Sequence, residues 1–257
     1  MINLSKPWPL WIGTRWWWAT AVAGLVVLAV VAPFDAQISV WAGTWPTDVN
    51  SFFASITDFG LADWILWPAG VLFIATAILA RFVRWRLMAT ILRQFAVLYG
   101  FIFVGVAAPS LATTIVKRVI GRARPEHLVE VGPFAFRPNI VDWSFQSFPS
   151  GHTTTIFALA LVVAFLSPRL LWLALAFAVA VGVSRISVHA HYPTDAIAGA
   201  YMGILGAYLV RNLFARRGWM FVTAPDGTIE SRPLSSLRRY LALKRRGIAP
   251  ARPTNPT

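Results

Sequence analysis

The stretch FAVLYGFIFVGVAAPSLATTIVKRVIGRARP, residues 95–125, changes character halfway along. Phe95 to Val116 carries no charge and is long enough, as a helix, to cross a hydrocarbon core, which takes about 17 residues or more. Lys117, Arg118, Arg122 and Arg124 then follow within nine positions, 117–125. A greasy helix that ends abruptly in clustered cations predicts a membrane span with something anionic waiting at its end.

The rest of the chain agrees with that reading. It has 257 residues, 57% hydrophobic and only 13% charged, with a mean hydropathy of +0.62, against about 45–50% and about 25% in soluble domains. Thirteen tryptophans suit broad contact with a membrane interface. With no cysteine, disulfides, zinc–thiolate sites, iron–sulfur clusters and cysteine nucleophiles are excluded, and the redox compartment is unreadable.

Apolar runs at Trp16 to Pro33, Trp64 to Ala80, Phe95 to Val116, His152 to Leu166, Leu170 to Val183 and Ala196 to Phe214 predict six spans, an all-α polytopic bundle. The last three are long enough only if the polar residues at their ends lie within the membrane boundary, and such residues need a functional reason. Lys6 and Arg15 precede the first run, and Ala32-Pro33 makes a poor cleavage site, so the run is expected to be retained. Of the 23 lysines and arginines, 17 fall on one set of alternate segments and 6 on the other. The positive-inside bias then puts both termini in the cytoplasm, so the net charge of +13 reflects membrane topology, not nucleic acid.

Two segments lie outside the spans. In the outer segment at about 45–62, Val49, Phe52, Phe53, Ile56 and Phe59 recur as an amphipathic surface helix requires. Residues 1–214 are expected to form the membrane domain and 215–257 a basic cytoplasmic tail. That tail has a Pro-Asp-Gly turn at 225–227, a short basic helix stopped by Gly247 and suited to anionic lipid, and a disordered end, APARPTNPT.

The six basic residues that oppose the charge bias, Lys117, Arg118, Arg122, Arg124, Arg137 and Arg185, mark the outer side. Three patches meet there: Lys117 to Pro125; Phe148 to His152, opening the fourth span; and Ser184-Arg185 through His191 to Asp195, joining the fifth and sixth. Lys117, Arg124 and Arg185 supply a point charge and two planar forks, which suit a tetrahedral dianion. Pro149-Ser150-Gly151-His152 before a helix offers free backbone N–H groups. His191 and Asp195 lie four apart around Pro193, so the carboxylate can fold back and fix the imidazole tautomer. Taken singly each has an ordinary reading: Lys117 as a snorkelling helix end, Arg124 as a headgroup contact, His152 as a helix-start hydrogen-bonder, Asp195 as a first-turn acid. Ser150 and Gly151 alone are turn residues. Jointly they predict a phosphate-handling enzyme.

These residues resemble the three-part signature of the type 2 phosphatidic acid phosphatase (PAP2) superfamily, K-x6-RP, PSGH and SR-x5-H-x3-D. Lys117, Arg124 and Pro125, Pro149 to His152, and Ser184, Arg185, His191 and Asp195 complete it. The likeness covers roughly residues 95–214. It implies a bacterial inner-membrane lipid phosphatase with its site on the extracytoplasmic face. His191 would be the nucleophile, Asp195 its orienting partner and His152 the acid for the leaving oxygen. Lys117, Arg124, Arg185, Ser150 and the Gly151 N–H would hold the phosphate, with no metal or cofactor required. An isoprenoid diphosphate is the first choice of substrate, with phosphatidylglycerol phosphate, phosphatidate and a lipid A phosphate following. Transfer of the phosphoryl group to a second lipid and non-catalytic lipid-phosphate transport are the competing readings. His127 and His189 fall outside the signature, and Arg118, Arg122 and Arg137 read as headgroup contacts or charges standing behind the site.

Overall fold

The computed structural model describes residues 3–9, 17–138 and 141–245. Helix α1 (Trp17–Val31) runs through a 3-10 turn at Ala32–Phe34 into α2 (Asp35–Gly43). Then come α3 (Thr47–Ile56), a second 3-10 turn (Thr57–Gly60), α4 (Asp63–Phe82) and the 35-residue α5 (Arg86–Ile120). Beyond the short α6 (Leu128–Val131) lie α7 (Gly151–Leu166), α8 (Leu171–Ser187) and α9 (Pro193–Arg216). Strands β1 (Phe221–Thr223) and β2 (Ile229–Ser231) form an antiparallel ribbon before α10 (Ser235–Arg245).

Among the described residues, five helical stretches are long and apolar enough to cross a membrane: Trp18–Gly43, Thr47–Phe82, Arg86–Ile120, Pro168–Ser187 and Pro193–Arg216. The sixth expected span, α7, has 16 residues, fewer than the roughly 20 of an ordinary crossing. Its sequence is apolar almost all round because it is the hub of the bundle, packed against α5, α8 and α9. Lipid is met instead by α1 and α4, where Leu25, Val30, Trp67 and Phe82 stay exposed.

Glycines set two approaches. Gly199 on α9 sits so close to α7 that a Cβ there would stand 2.4 Å from the Ser150 carbonyl oxygen. Gly121 closes α5 in the left-handed conformation, φ 63°, donating its N–H to the Lys117 carbonyl. The chain then leaves extended: Ala123 N–H donates to Ala135 O, Arg124 N–H to Ser144 O, and Ser147 N–H to Arg122 O. Arg122 and the signature arginine Arg124 therefore stand on a pinned strand-like segment.

At the opposite end of the bundle, Arg211 is buried with its guanidinium stacked on Phe165 and Tyr208, at 4.5 and 4.6 Å. It bonds the Leu4 carbonyl and, at 2.7 Å, that of Lys6, while Ser5 O accepts from Ile229 N–H. Residues 3–9 and the ribbon thus lie together at one end.

Three sequence expectations change in detail. The first helix continues past Pro33 to Gly43, because proline at the second position of a 3-10 turn tolerates the chain direction, so Asp35 becomes a buried residue. The amphipathic segment is helical as α3, and it packs on α8. The all-α class holds for the bundle, but the Pro-Asp-Gly turn joins two strands, with Asp226 accepting from the Thr228 N–H and hydroxyl at 3.0 and 2.7 Å. The Gly247 helix stop and the final nine residues lie outside the described residues.

Candidate active site

The end of the bundle away from Arg211 gathers all three signature patches. The loop after α8 carries His191, whose backbone N–H donates to the Arg185 carbonyl at 3.1 Å. Two residues later Pro193 starts α9, where its missing N–H costs nothing, and Asp195 occupies the third helical position. The carboxylate Oδ2 accepts from the Tyr192 backbone N–H at 2.8 Å, the reach-back half of a capping box.

That turn places Asp195 Oδ2 3.6 Å from His191 Nδ1, an ion-pair distance. Ser147 sits at the shared corner, donating to Oδ2 at 2.5 Å with its hydroxyl 3.5 Å from His191 Nδ1. Both His191 and Asp195 are buried. Nδ1 faces this acceptor pair, so the tautomer it favours carries its proton on Nδ1 and its lone pair on Nε2. Burial pushes the His191 imidazole below its ordinary range, against the opposing pull of the Asp195 charge. Unprotonated His191 is the resting form at neutral pH.

Helix α7 presents its N-terminus to the same space. Ser150 is the N-cap, its hydroxyl accepting from the Thr153 hydroxyl at 3.0 Å, and its N–H donates to the Asp195 carbonyl at 2.9 Å. Gly151 is open: a Cβ added there meets nothing within 4 Å. His152 is wedged against the turn before α4, where a Cβ on Gly60 would come within 2.6 Å of its own. Burial acts on its imidazole first, and then the charges of Arg185, His191, Arg124 and Lys117.

The cations are held with atoms to spare. Arg185 Nη1 donates to the Thr57 hydroxyl at 2.6 Å, and its buried Nε has no partner among the described residues. Arg124 lies over the Trp143 ring at 4.7 Å with its own Nε likewise unpartnered. Burial pulls the Arg124 guanidinium down from its usual value, with Glu126 and Asp195 opposing. Buried donors left without a partner call for an explanation, and an anion brought between these cations would supply one. An apolar groove of about 710 Å³ runs between α4 and α5, lined by Asp63, Leu66, Trp67, Val71, Ile74 and Phe103.

All eight sequence-predicted site residues, His191, His152, Asp195, Lys117, Arg124, Ser150, Gly151 and Arg185, stand at this end. Sequence reasoning missed Ser147, Thr57, Asp35 and Thr194, which lie outside the motifs, and left Arg122 as either a headgroup contact or a charge standing behind the site; the structure supports the second. Arg122 is in fact buried, donating to Asp195 Oδ1 at 2.6 Å and to Asp35 Oδ2 at 2.8 Å. His189 is off the site, its ring against Gly43. His127 bonds Ser144 at 3.0 Å and stacks on Phe145.

A histidine–carboxylate pair, a capped helix end and converging cations at the end of a membrane bundle make a site suited to a phosphoryl group. The chain belongs to the PAP2 superfamily, whose family model matches residues 95–219. It is 34% identical over 218 residues to the lipid A 1-phosphatase of Rhizobium johnstonii, an alignment covering 83% of this chain and 86% of that one. The Rhizobium etli lipid A 1-phosphatase is 35% identical over 199 residues, 76% of this chain and 83% of that one. Among solved structures, the transmembrane PAP2 type phosphatidylglycerolphosphate phosphatase of Bacillus subtilis superposes with a TM-score of 0.50 at 21% identity, covering 77% of this chain and 95% of that chain. The protein is a multi-pass membrane phosphatase of the PAP2 type, acting on a lipid phosphate.

Proposed function

We propose that the chain hydrolyses a phosphate from a membrane glycolipid of the lipid A type by way of a phosphohistidine at His191. The observation that carries the chemistry is the pairing of His191 Nδ1 with Asp195, at the end of the bundle where Arg124 and Arg185 each keep a buried nitrogen without a partner among the described residues. In the first half-reaction the Nε2 lone pair bonds to phosphorus, the ester P–O bond breaks, and His152, protonated once the bound phosphate dianion offsets the cations around it, gives its proton to the departing oxygen. In the second, water bonds to phosphorus, its proton passes to the now neutral His152, and the P–N bond breaks to free inorganic phosphate. Lys117, Arg124, Arg185, Ser150 and the Gly151 N–H stabilise the three equatorial oxygens throughout. Asp195 holds the imidazole and balances the positive charge it acquires.

The two Rhizobium relatives, aligned over most of both chains, favour lipid A as substrate. The apolar α4–α5 groove, which begins at Asp63, three residues beyond the Gly60 that His152 packs against, would receive its hydrocarbon chains. The isoprenoid diphosphate expected first from the sequence is the competing substrate. The charge bias supports a site on the extracytoplasmic face of a bacterial inner membrane, with residues 215–257 as the cytoplasmic tail and α10 resting Arg238, Arg239, Lys244 and Arg245 on anionic lipid. The joining of residues 3–9 to the ribbon agrees with both termini on one side.

Phosphate release by detergent-purified protein, with EDTA present, tests this across lipid A, undecaprenyl diphosphate, phosphatidylglycerol phosphate and phosphatidate. The highest kcat/KM on lipid A is expected. A preference for undecaprenyl diphosphate would transfer the assignment, and no release from any of them would end the hydrolase reading.

A further inference from the structure

Arg122 stands apart from the other arginines at this end of the bundle. It exposes 2% of its surface, and all five of its N–H donors are used. Nε and Nη2 donate to the Pro133 carbonyl at 2.9 and 2.8 Å; Nη1 donates to the Thr194 hydroxyl and Asp195 Oδ1 at 2.7 and 2.6 Å; Nη2 also donates to Asp35 Oδ2 at 2.8 Å. The Tyr192 ring lies 4.4 Å beneath the guanidinium. Asp35, fully buried, has its own second hold on α9: Oδ1 accepts from Thr194 N–H at 3.0 Å and Oδ2 from the Thr194 hydroxyl at 2.5 Å. Arg124 and Arg185 each keep a nitrogen without a partner among the described residues, whereas the saturated fork of Arg122 has no donor left to offer a ligand.

We infer that Arg122 and Asp35 form a positioning pair for the nucleophile, in which Arg122 clamps the Asp195 carboxylate and Asp35 takes up part of its charge. The inference rests on the proposed role of His191. Two buried carboxylates share one guanidinium, so Asp195 is oriented without being fully neutralised and stays able to balance a positive imidazole. The charged groups that face His191 are Asp195 on α9, Arg185 on α8, Arg124 after α5 and His152 at the head of α7. Arg122 and Asp35 act on it through Asp195.

The test is the pH profile of kcat/KM on whichever lipid phosphate the wild-type chain turns over. Asp35→Asn leaves Arg122 to Asp195 alone and weakens the base, moving the acid limb down by about one unit, a tenfold change in proton affinity. Arg122→Gln moves the limb up by about as much, and the double variant returns it close to wild type. Arg122→Lys keeps the charge but not the fork, so the limb stays while kcat falls at unchanged KM. A part in packing alone would lower active protein without moving the limb in opposite directions. Should Arg122→Gln fail to fold, the near-isosteric Asp35→Asn decides: a limb that stays within about 0.2 unit of wild type in folded, active protein overturns the positioning role. A wild-type chain that turns over none of the lipid phosphates overturns the function reading, and this inference with it.

Discussion

At the scale of single residues, His191 is poised by opposed forces. Burial favours its neutral form and the Asp195 charge favours the protonated one, with burial prevailing. Because its folded value lies below the ordinary 6.5, the nucleophile stays competent as pH falls, and the acid limb of kcat/KM is expected below pH 6.5. A limb at or above that value, with chemistry limiting, contradicts the assignment of His191 to it. Asp195→Asn preserves shape but not charge and should lower kcat by roughly 10³- to 10⁴-fold, measured as initial rate at saturating substrate. The signature residues were legible from sequence because their spacing is fixed by one turn, one helix start and one strand-like segment. Arg122's role was not, since its meaning lies in Asp35, 87 residues away, and in Asp195, 73 away. Ser147 and Thr57 were invisible for the same reason: a lone hydroxyl carries no pattern until the fold brings it to Asp195 or Arg185.

At the scale of elements, the site depends on how closely α7 approaches α9. Gly199→Ala would push a methyl into the Ser150 carbonyl at 2.4 Å, and the two helix ends must part. A loss of about 1–3 kcal/mol is expected, read as a lower unfolding midpoint in detergent, together with reduced kcat. Gly151→Ala separates packing from substrate, because the protein has room for that methyl. Its unfolding midpoint should match wild type while kcat/KM falls by roughly 10²-fold, because the N–H is kept but the methyl stands in the space the phosphate must enter to reach it. Unchanged kcat/KM would place the phosphate elsewhere. Periodicity revealed the long helices but not the ribbon, because strands of three residues are too short to show alternation. Nor did it separate α7 from a lipid-facing span: a hub helix and a membrane helix are both apolar all round, and only the packing tells them apart.

At the scale of the whole molecule, the absence of cysteine makes sidedness directly testable. Val129, 97% exposed on α6, lies on the site face, and Arg239 on α10 lies at the opposite end. In intact spheroplasts, Val129→Cys should react with a membrane-impermeant maleimide and Arg239→Cys only after lysis. The reverse pattern would move the site to the cytoplasmic side and remove the outer leaflet as its source of substrate. The hydrolase reading itself hangs on a single covalent bond. Turnover of a lipid phosphate, quenched within milliseconds into alkali, preserves a phosphorus–nitrogen bond for peptide mass spectrometry. Phosphate on the peptide carrying His191, absent from the His191→Ala chain, is the expected result. Steady turnover with phosphate on another residue, or undiminished turnover by His191→Ala, would contradict it.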